Sequence, residues 1–292
     1  MSAERSDFSV VDGEDRFGAE PTVSVVIPAK NEAMNLPLVF ADLPENLHEV
    51  ILVDGNSSDD TIKVAKSLRP SIIICGQNRK GKGNALACGF AKATGDFIVM
   101  LDADGSTDPA EIPRFVNALR EGADFAKGSR FMPGAGSSDI SRIRQWGNWW
   151  LNKVVNILYG TRYTDLCYGY NAFRRDCLPV IGLIAEDVEG TDGSSMLWGD
   201  GFEVETLINV RVARAGLVVA EVPSFEHDRH FGSSNLNAFS DGLRVLRTIY
   251  IERMRSAKSN SSSARNSASH PSGWSTLAND VTRPSSGDSK AS

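Results

Sequence analysis

Short runs of consecutive apolar residues, separated by amphipathic segments, are the feature that most constrains how this chain folds. FIVML, residues 97–101, is the clearest of them. An apolar run of this length without polar alternation is typical of a strand that is covered on both faces. Similar runs at 22–30, 49–55 and 71–76 alternate with helical patterns. The sequence therefore predicts an α/β fold with a mostly parallel, doubly wound sheet and helices on both faces.

The two ends of the chain differ from the alternating region. Residues 1–20 are acidic and residues 256–292 are rich in serine with few apolar residues. Such compositions bury too little surface to offset the entropy of ordering, so we predict a disordered arm, one domain at 21–255 and a disordered tail. We find no secretory signal and no apolar window of roughly 18 residues, so any membrane role is expected to be peripheral. The net charge of −6 argues against general nucleic-acid binding.

Polar side chains are predicted at the carboxyl ends of three strands. Asp102 and Asp104 follow FIVML, Asp54 ends the second strand, and Lys30 and Glu32 follow the first. Ligands of open α/β sheets bind at this edge. Two carboxylates one residue apart suit Mg²⁺ or Mn²⁺, which bridges to a substrate diphosphate. The sequence therefore predicts a metal-dependent site for a diphosphate compound.

The segment NRKGKGNALACG, residues 78–89, places lysines and glycines before a predicted helix. Glycines permit close backbone approach, and a helix N-terminus next to lysines favours anionic groups. The GxxxxGK[ST] and GxGxxG spacings are absent. A phosphate-loop NTPase and a dinucleotide dehydrogenase are therefore disfavoured.

Taken together, four segments resemble glycosyltransferase family 2. These are VSVVIPAKNEAMNLP (23–37), ILVDGNSSDDT (51–61), GKGNALACG (81–89) and DADGSTDP (102–109). Within that family, KGSRF (127–131) and HDRHFGSSNL (227–236) are similar to segments of the polyprenyl- and dolichyl-phosphate sugar synthases.

The resemblance implies a GT-A fold and an inverting, metal-dependent transfer of a hexose to a polyprenyl phosphate. The implied donor is a nucleotide sugar of the GDP-mannose or UDP-glucose type. The donor would be bound by Pro28, Lys30, Glu32, Asp54, Lys82, Asp102, Ala103 and Asp104. The implied ligands of Mg²⁺ or Mn²⁺ are Asp102, Asp104 and Ser106. The acceptor phosphate would be held by Arg130, Arg229 and Ser234.

The acceptor stays open at this stage. A hydroxyl acceptor needs a general base, whereas a lipid phosphate is already largely ionised at neutral pH and needs positive groups. The segment WGDGFEVET, residues 198–206, offers Asp200 and Glu203 as base or acceptor-positioning candidates, and Glu205 is expected on a solvated helix face. With Arg130 and Arg229, Asp200 and Glu203 complete the predicted catalytic set. The alternatives are transfer to a hydroxyl of a glycan or small acceptor, and a non-catalytic nucleotide-sugar-binding subunit.

The helical segment RQWGNWWLNKVVNILY, residues 144–159, clusters tryptophans with Arg144 and Lys153. This pattern is typical of amphipathic core packing, and it also suits a membrane interface. The resemblance places the enzyme in the cytoplasm, peripheral to the inner face of the membrane. The expected partners are the nucleotide-sugar donor, the lipid-phosphate acceptor and, as a further candidate, a membrane protein.

Overall fold

The computed structural model describes residues 20–188, 194–232 and 242–255, in which strands and helices alternate. The strands are β1 Val23–Ala29, β2 Glu49–Asp54, β3 Ile73–Gly76, β4 Phe97–Met100, β5 Phe125–Ser129, β6 Gly136–Ser137, β7 Asn171–Arg174, β8 Val219–Pro223 and β9 Phe225–Glu226. The helices are α1 Leu36–Ala41, α2 Thr61–Leu68, α3 Lys82–Lys92, α4 Ile112–Arg120, α5 Arg142–Tyr159, α6 Leu178–Ile181, α7 Val204–Ala215 and α8, residues 242–255. Apart from Glu20, the predicted arm and tail lie outside the described residues.

Seven strands of the described ranges form one sheet in the order β3-β2-β1-β4-β7-β5-β8. Each strand pair is parallel except for the two pairs that β7 makes with β4 and β5. The predicted mostly parallel sheet is therefore confirmed. The antiparallel strand β7 has only four residues, which is too short to give a periodic signal in the sequence.

The sheet is buried on both faces because alternate residues of each strand point to opposite sides. Val25 and Leu52 pack into the cluster that contains α1, α2 and α4. Val26 and Ile51 pack into the cluster that contains α3, α6 and α7. This two-sided burial explains why the strands read as continuous apolar runs.

A third apolar cluster joins α5, α7 and α8 beside the sheet. It contains Leu151 and Val155 of α5, Val210 of α7, and Val245 and Ile249 of α8. The main compact unit ends at Glu252, and the second unit begins at Arg253 and is described only for the end of α8. Within the described ranges, no helix has both the length and the apolarity that crossing a bilayer requires.

Candidate active site

The carboxyl ends of β1, β2 and β4 meet at one edge of the sheet. Asp54 is in register with Ala29 at the end of β1. The chain beyond β4 continues alongside β1, since the Leu101 N–H donates to the Val26 carbonyl. Asp102 therefore leaves the sheet near the end of β1, where Glu32 follows. The apolar run delivers its two carboxylates to an edge and does not bury them within the sheet.

Lys82 joins two carboxylates that lie far apart in the sequence. Its Nζ lies 2.7 Å from Oδ1 of Asp102 and 2.8 Å from Oε1 of Glu205. Burial disfavours the ammonium, but the two carboxylates outweigh this and raise the pKa of Lys82. A side chain at Gly169 would crowd the pair, because its Cβ would lie 3.3 Å from Oε1 of Glu205. Lys82 is therefore a fixed cation that orients both carboxylates.

Asp104 is held from two sides. Its Oδ1 accepts hydrogen bonds from the backbone N–H and the hydroxyl of Ser106, at 3.0 and 2.7 Å. Its Oδ2 lies 2.8 Å from Nη2 of Arg229. The turn after β4 therefore presents Asp104 directly to an arginine that comes from the far end of the chain.

Glu32 belongs to the same group of charges. Burial raises the pKa of Glu32, the negative charges of Asp104 and Asp102 raise it further, and the Asn35 amide and Arg229 oppose the rise. Asn35 Nδ2 donates to Oε2 of Glu32 at 2.6 Å. Glu32, Asp102 and Asp104 are thus close enough for their charges to interact.

The glycines around Lys82 serve packing within the chain. The Gly83 N–H donates to the Asp200 carbonyl at 2.8 Å. A Cβ on Gly83 would lie 1.7 Å from the backbone oxygen of Gly199, and one on Gly81 would lie 2.0 Å from that of Asp200. The sequence predicted that this turn would receive an anionic ligand. In the structure, the Gly83 N–H at the N-terminus of α3 instead donates to the loop that faces it. This contact holds the start of α3, and with it Lys82, close to Glu205.

The two predicted base candidates are both engaged in hydrogen bonds. The carboxylate of Asp200 accepts from Nε and Nη2 of Arg79 at 2.8 and 3.2 Å, and its side chain is 6% exposed. Oε1 of Glu203 accepts from the backbone N–H groups of Gly199 and Gly201 at 3.1 and 3.4 Å. Asp200 is therefore paired with a buried cation and Glu203 caps a loop, so in this structure both carboxylates have partners within the chain.

Arg130 is also engaged, in the interior. Its Nε and Nη2 donate to Asp165 at 2.7 and 3.0 Å, and its Nη1 donates to Glu226 at 2.9 Å. The guanidinium lies 4.8 Å from the ring centre of Tyr168, and the side chain is 5% exposed. The expected contact of Arg130 with an acceptor phosphate therefore does not fit this structure, because its side chain has almost no exposed surface.

The remaining predicted residues are distributed as follows. Pro28 lies in β1, and Lys30 is exposed directly after it. Gly55 lies against Lys30, since a Cβ on Gly55 would be 3.2 Å from that of Lys30. Ala103 is buried between the two acids, and Ser234 lies outside the described residues.

Glu205 is the residue that sequence reasoning missed. It was expected on a solvated helix face, and it is buried in the first turn of α7 against Lys82. Its position in the segment WGDGFEVET was the available signal. That signal is weak because α7 is buried on nearly all sides. The helix therefore has no polar stripe in its sequence that would show which of its carboxylates face inward.

The donor set of the site is compatible with a divalent cation. Within the described ranges, no group of three or more His, Cys, Asp or Glu side chains is placed to hold a metal. Asp102, Asp104 and the hydroxyl of Ser106 are hard oxygen donors in one turn. Mg²⁺ commonly binds through one or two carboxylates together with substrate phosphates and water. The residues therefore fit a metal whose remaining ligands come from the substrate.

Sequence comparison identifies relatives along most of the chain. The family described as "Glycosyl transferase family 2" matches residues 24–182. The chain is 33% identical to the undecaprenyl-phosphate mannosyltransferase of Micrococcus luteus, over 77% of its own length and 91% of the relative's. It is 31% identical to the polyprenol monophosphomannose synthase of Mycolicibacterium smegmatis, over 77% and 85% of the two lengths.

Structure comparison identifies solved structures with the same fold. The glucosyl-3-phosphoglycerate synthase of Mycobacterium tuberculosis, solved with Mn²⁺, UDP-glucose and phosphoglyceric acid, superposes with a TM-score of 0.59 at 23% identity, over 79% of each chain. The same enzyme solved with Mg²⁺ and UDP gives a TM-score of 0.57 at 23% identity, over 79% of this chain and 77% of that one. With the sheet order and the matched segments, these likenesses establish the fold. The chain belongs to glycosyltransferase family 2, is a glycosyltransferase, and has the GT-A fold.

Proposed function

We propose that this enzyme transfers a hexose, with inversion and with a divalent cation, from a nucleotide sugar to the phosphate of a polyprenyl phosphate. The observation that carries the proposal is the contact between Arg229 and Asp104 at 2.8 Å. It brings an anion-binding side chain, 35% exposed, to the turn that would hold the donor diphosphate.

The state of the carboxylates favours a phosphate acceptor over a hydroxyl. A hydroxyl acceptor needs a base within about 3 Å of its proton. Asp200 is held by Arg79, Glu203 by backbone N–H groups, and Glu205 by Lys82. A lipid phosphate has a second pKa near 6 and is largely ionised at neutral pH, so it requires no base.

The reaction is a single displacement. An oxygen of the acceptor phosphate attacks the anomeric carbon and forms the new C–O bond, while the bond from that carbon to the nucleoside diphosphate breaks. The bonding electrons leave with the diphosphate, and no proton is transferred to the protein. Asp102 and Asp104 would hold Mg²⁺ or Mn²⁺, which would supply positive charge to the departing diphosphate.

Each side chain of the group has a role in this scheme. Lys82 orients Asp102, because its ammonium lies between Asp102 and Glu205 and contacts both. Glu32 and Asp54 lie at the ends of neighbouring strands and would bind the donor nucleoside. Arg229 would bind the acceptor phosphate through charge-assisted hydrogen bonds, each contributing about 1.5–3 kcal/mol.

The names of two relatives bear on the substrates. Both name a mannosyl transfer, and both name an undecaprenyl or polyprenol carrier. The chain covers 91% and 85% of these relatives, so the likeness extends over nearly their whole length. We therefore place mannose from GDP-mannose first among the donors and UDP-glucose second.

The test is a panel of nucleotide sugars with undecaprenyl phosphate, with Mn²⁺ or with EDTA, followed by lipid extraction. We expect metal-dependent product in the lipid phase from one donor. Asp104→Asn and Arg229→Gln should each lower the rate by about 100-fold or more, as removal of a group that stabilises transition-state charge does. Asp60→Asn, at a carboxylate that is 70% exposed, is the matched control and should retain the activity.

Two outcomes would overturn the proposal. One is transfer to a glycan or small hydroxyl acceptor with no labelled lipid phosphate. The other is full lipid-phosphate activity of the Arg229→Gln variant, which would remove the residue on which the acceptor assignment rests.

A further inference from the structure

Helix α5 carries an apolar stripe on its solvent side. Ile143, Trp146, Trp150 and Ile157 follow one another at spacings of three, four and seven residues, and all are at least half exposed. This spacing normally marks the face of a helix that packs into a core. The core-facing side of α5 is a different one, formed by Leu151 and Val155.

A third tryptophan broadens the stripe, and helix α8, which shares a buried cluster with α5, carries exposed apolar residues of its own. Trp149 is half exposed and lies 5.8 Å from Trp150, ring centre to ring centre. On α8, Leu243, Leu246 and Tyr250 are exposed at spacings of three and four residues. Three half-exposed tryptophans alone present roughly 300 Å² of mostly apolar surface, about the size of the largest patch on a typical monomer.

The charges on these helices are opposite in sign to the charge of the chain. Helix α5 contains Arg142, Arg144 and Lys153 and no acidic residue, whereas the whole chain has a net charge of −6. Lys153 Nζ lies 4.9 Å from the ring centre of Trp149. The one acid of α8, Glu252, is 1% exposed, so it adds little negative surface there. An aromatic surface flanked by basic side chains is the composition that suits the interface of an anionic bilayer.

The stripe is also connected to the active site by a short series of contacts. Asn148 on α5 donates to Asp165 at 3.1 Å, and Asp165 binds Arg130, which binds Glu226. The next residue after Glu226 donates its backbone N–H to the carbonyl of Ser106. Through its buried side, helix α5 is therefore anchored to the loops that carry the candidate metal and acceptor residues.

From these observations we infer that the exposed face of α5 and α8, defined by Ile143, Trp146, Trp149, Trp150, Ile157, Leu243, Leu246 and Tyr250, docks on an anionic lipid bilayer. The inference deepens the proposed function, because it names the surface from which a lipid acceptor would reach the site. The basic side chains draw the face to the negative membrane, and the tryptophans then insert at the level of the headgroups.

The test is flotation of the purified chain with vesicles that lack any polyprenyl phosphate. Vesicles of phosphatidylcholine with about a third phosphatidylglycerol are compared with vesicles of phosphatidylcholine alone, because basic side chains distinguish the two. We expect at least about tenfold more protein to float with the anionic vesicles, and a blue shift of the tryptophan emission. Trp146→Ser with Trp150→Ser should lower flotation about tenfold, with an unchanged circular dichroism spectrum.

The matched control is Ile62→Ser with Leu68→Ser on α2. These side chains are also exposed apolar residues on a helix, and this variant should float as the wild type does. The inference is overturned if wild-type protein does not float with anionic vesicles, or if the tryptophan variant floats equally well. It is also overturned if light scattering shows a dimer that the tryptophan variant abolishes, since the face would then bind a second copy.

Transfer to undecaprenyl phosphate dissolved in detergent separates this inference from the proposed function. The tryptophan variant should retain that activity, because its substitutions do not touch the site. Flotation without any transfer to lipid phosphate would overturn only the acceptor assignment. Transfer in detergent without flotation would overturn only the docking surface.

Discussion

Arg130 gives the sharpest test of the structural reasoning, because the sequence and the structure assign it different roles. The resemblance implies contact with the acceptor phosphate. The structure pairs it with Asp165, whose side chain has no exposed surface, and with Glu226, whose side chain is 12% exposed. We predict that Arg130→Met acts first on stability, because it leaves the Asp165 carboxylate buried without its cation.

The magnitude follows from the burial of the pair. Removing one partner of a buried ion pair costs about 3–5 kcal/mol. Solvent screening does not reduce this cost, since the side chains of Arg130 and Asp165 are 5% and 0% exposed. For a unit of this size each kcal/mol lowers Tm by about 2–4 °C, so the expected loss is about 6–20 °C.

The pH dependence has a defined sign. Burial alone would raise the pKa of Asp165, but the charge and hydrogen bonds of Arg130 outweigh it and lower that pKa. A carboxyl whose pKa is lower in the folded state stabilises the fold above its unfolded pKa, about 4, and loses that contribution as the pH falls. The difference in Tm between wild type and variant should therefore be largest near neutral pH and should shrink in acid.

Thermal unfolding followed by circular dichroism provides the measurement. Arg144→Met is the matched control, because its pair with Asp139 is 25% and 40% exposed and should contribute at most about 1 kcal/mol. Combining Arg130→Met with Asp165→Leu should recover part of the lost stability, since the fully buried carboxylate is then gone and only Glu226, 12% exposed, has lost its cation. An Arg130→Met variant with unchanged Tm and a raised KM for lipid phosphate would refute the reasoning.

Three further predictions concern the packing and chemistry around the site. Gly83→Ala should lower stability by more than about 4 kcal/mol by thermal melt, because its Cβ would lie 1.7 Å from a backbone oxygen of the facing loop; Gly147→Ala, whose Cβ meets nothing within 4 Å, should instead stabilise by about 0.4–1 kcal/mol. Burial raises the pKa of Cys167 and that of Cys177 to about 12. At pH 8 a thiol reagent should therefore label both more slowly in the native protein than after unfolding, and equal rates at either position would contradict this. Lys82→Met should lower the free energy of unfolding by about 1.5–3 kcal/mol and abolish transfer in the lipid assay, because it leaves two carboxylates facing each other. Lys82→Arg should restore part of the stability and part of the activity, and full activity of the methionine variant would exclude the assigned role.

The part of the site that could be predicted from the sequence is the part whose signal is local. The apolar run 97–101 indicates a strand buried on both faces, and Asp102 and Asp104 stand directly after it. In a parallel sheet this position is at the ligand-binding edge. Local pattern and sheet topology together therefore predict that these acids lie near Glu32, which follows the first strand, and in the structure the charges of Asp104 and Asp102 raise the pKa of Glu32.

The partners of the charged side chains were not predictable in the same way. Lys82 and Glu205 are separated by 123 residues, and no periodicity in either segment specifies that they meet. Arg130 looks the same in sequence whether it contacts Asp165 or a ligand. Only the tertiary structure distinguishes these roles, because an arginine that follows a strand has the same sequence context whether its side chain is buried or exposed.

The balance of charge explains how the chain tolerates two acids at the end of a buried strand, and why a divalent cation suits them. Lys82 and Arg229 lie within 2.8 Å of carboxylate oxygens of Asp102 and Asp104. Adding Glu32 and Glu205, the group contains four carboxylates and two cations, which leaves an excess of two negative charges. Such an excess in a partly desolvated site is costly unless a cation compensates it. One Mg²⁺ or Mn²⁺, held by Asp102 and Asp104, would supply that charge, so a donor diphosphate would meet a site whose carboxylates are compensated.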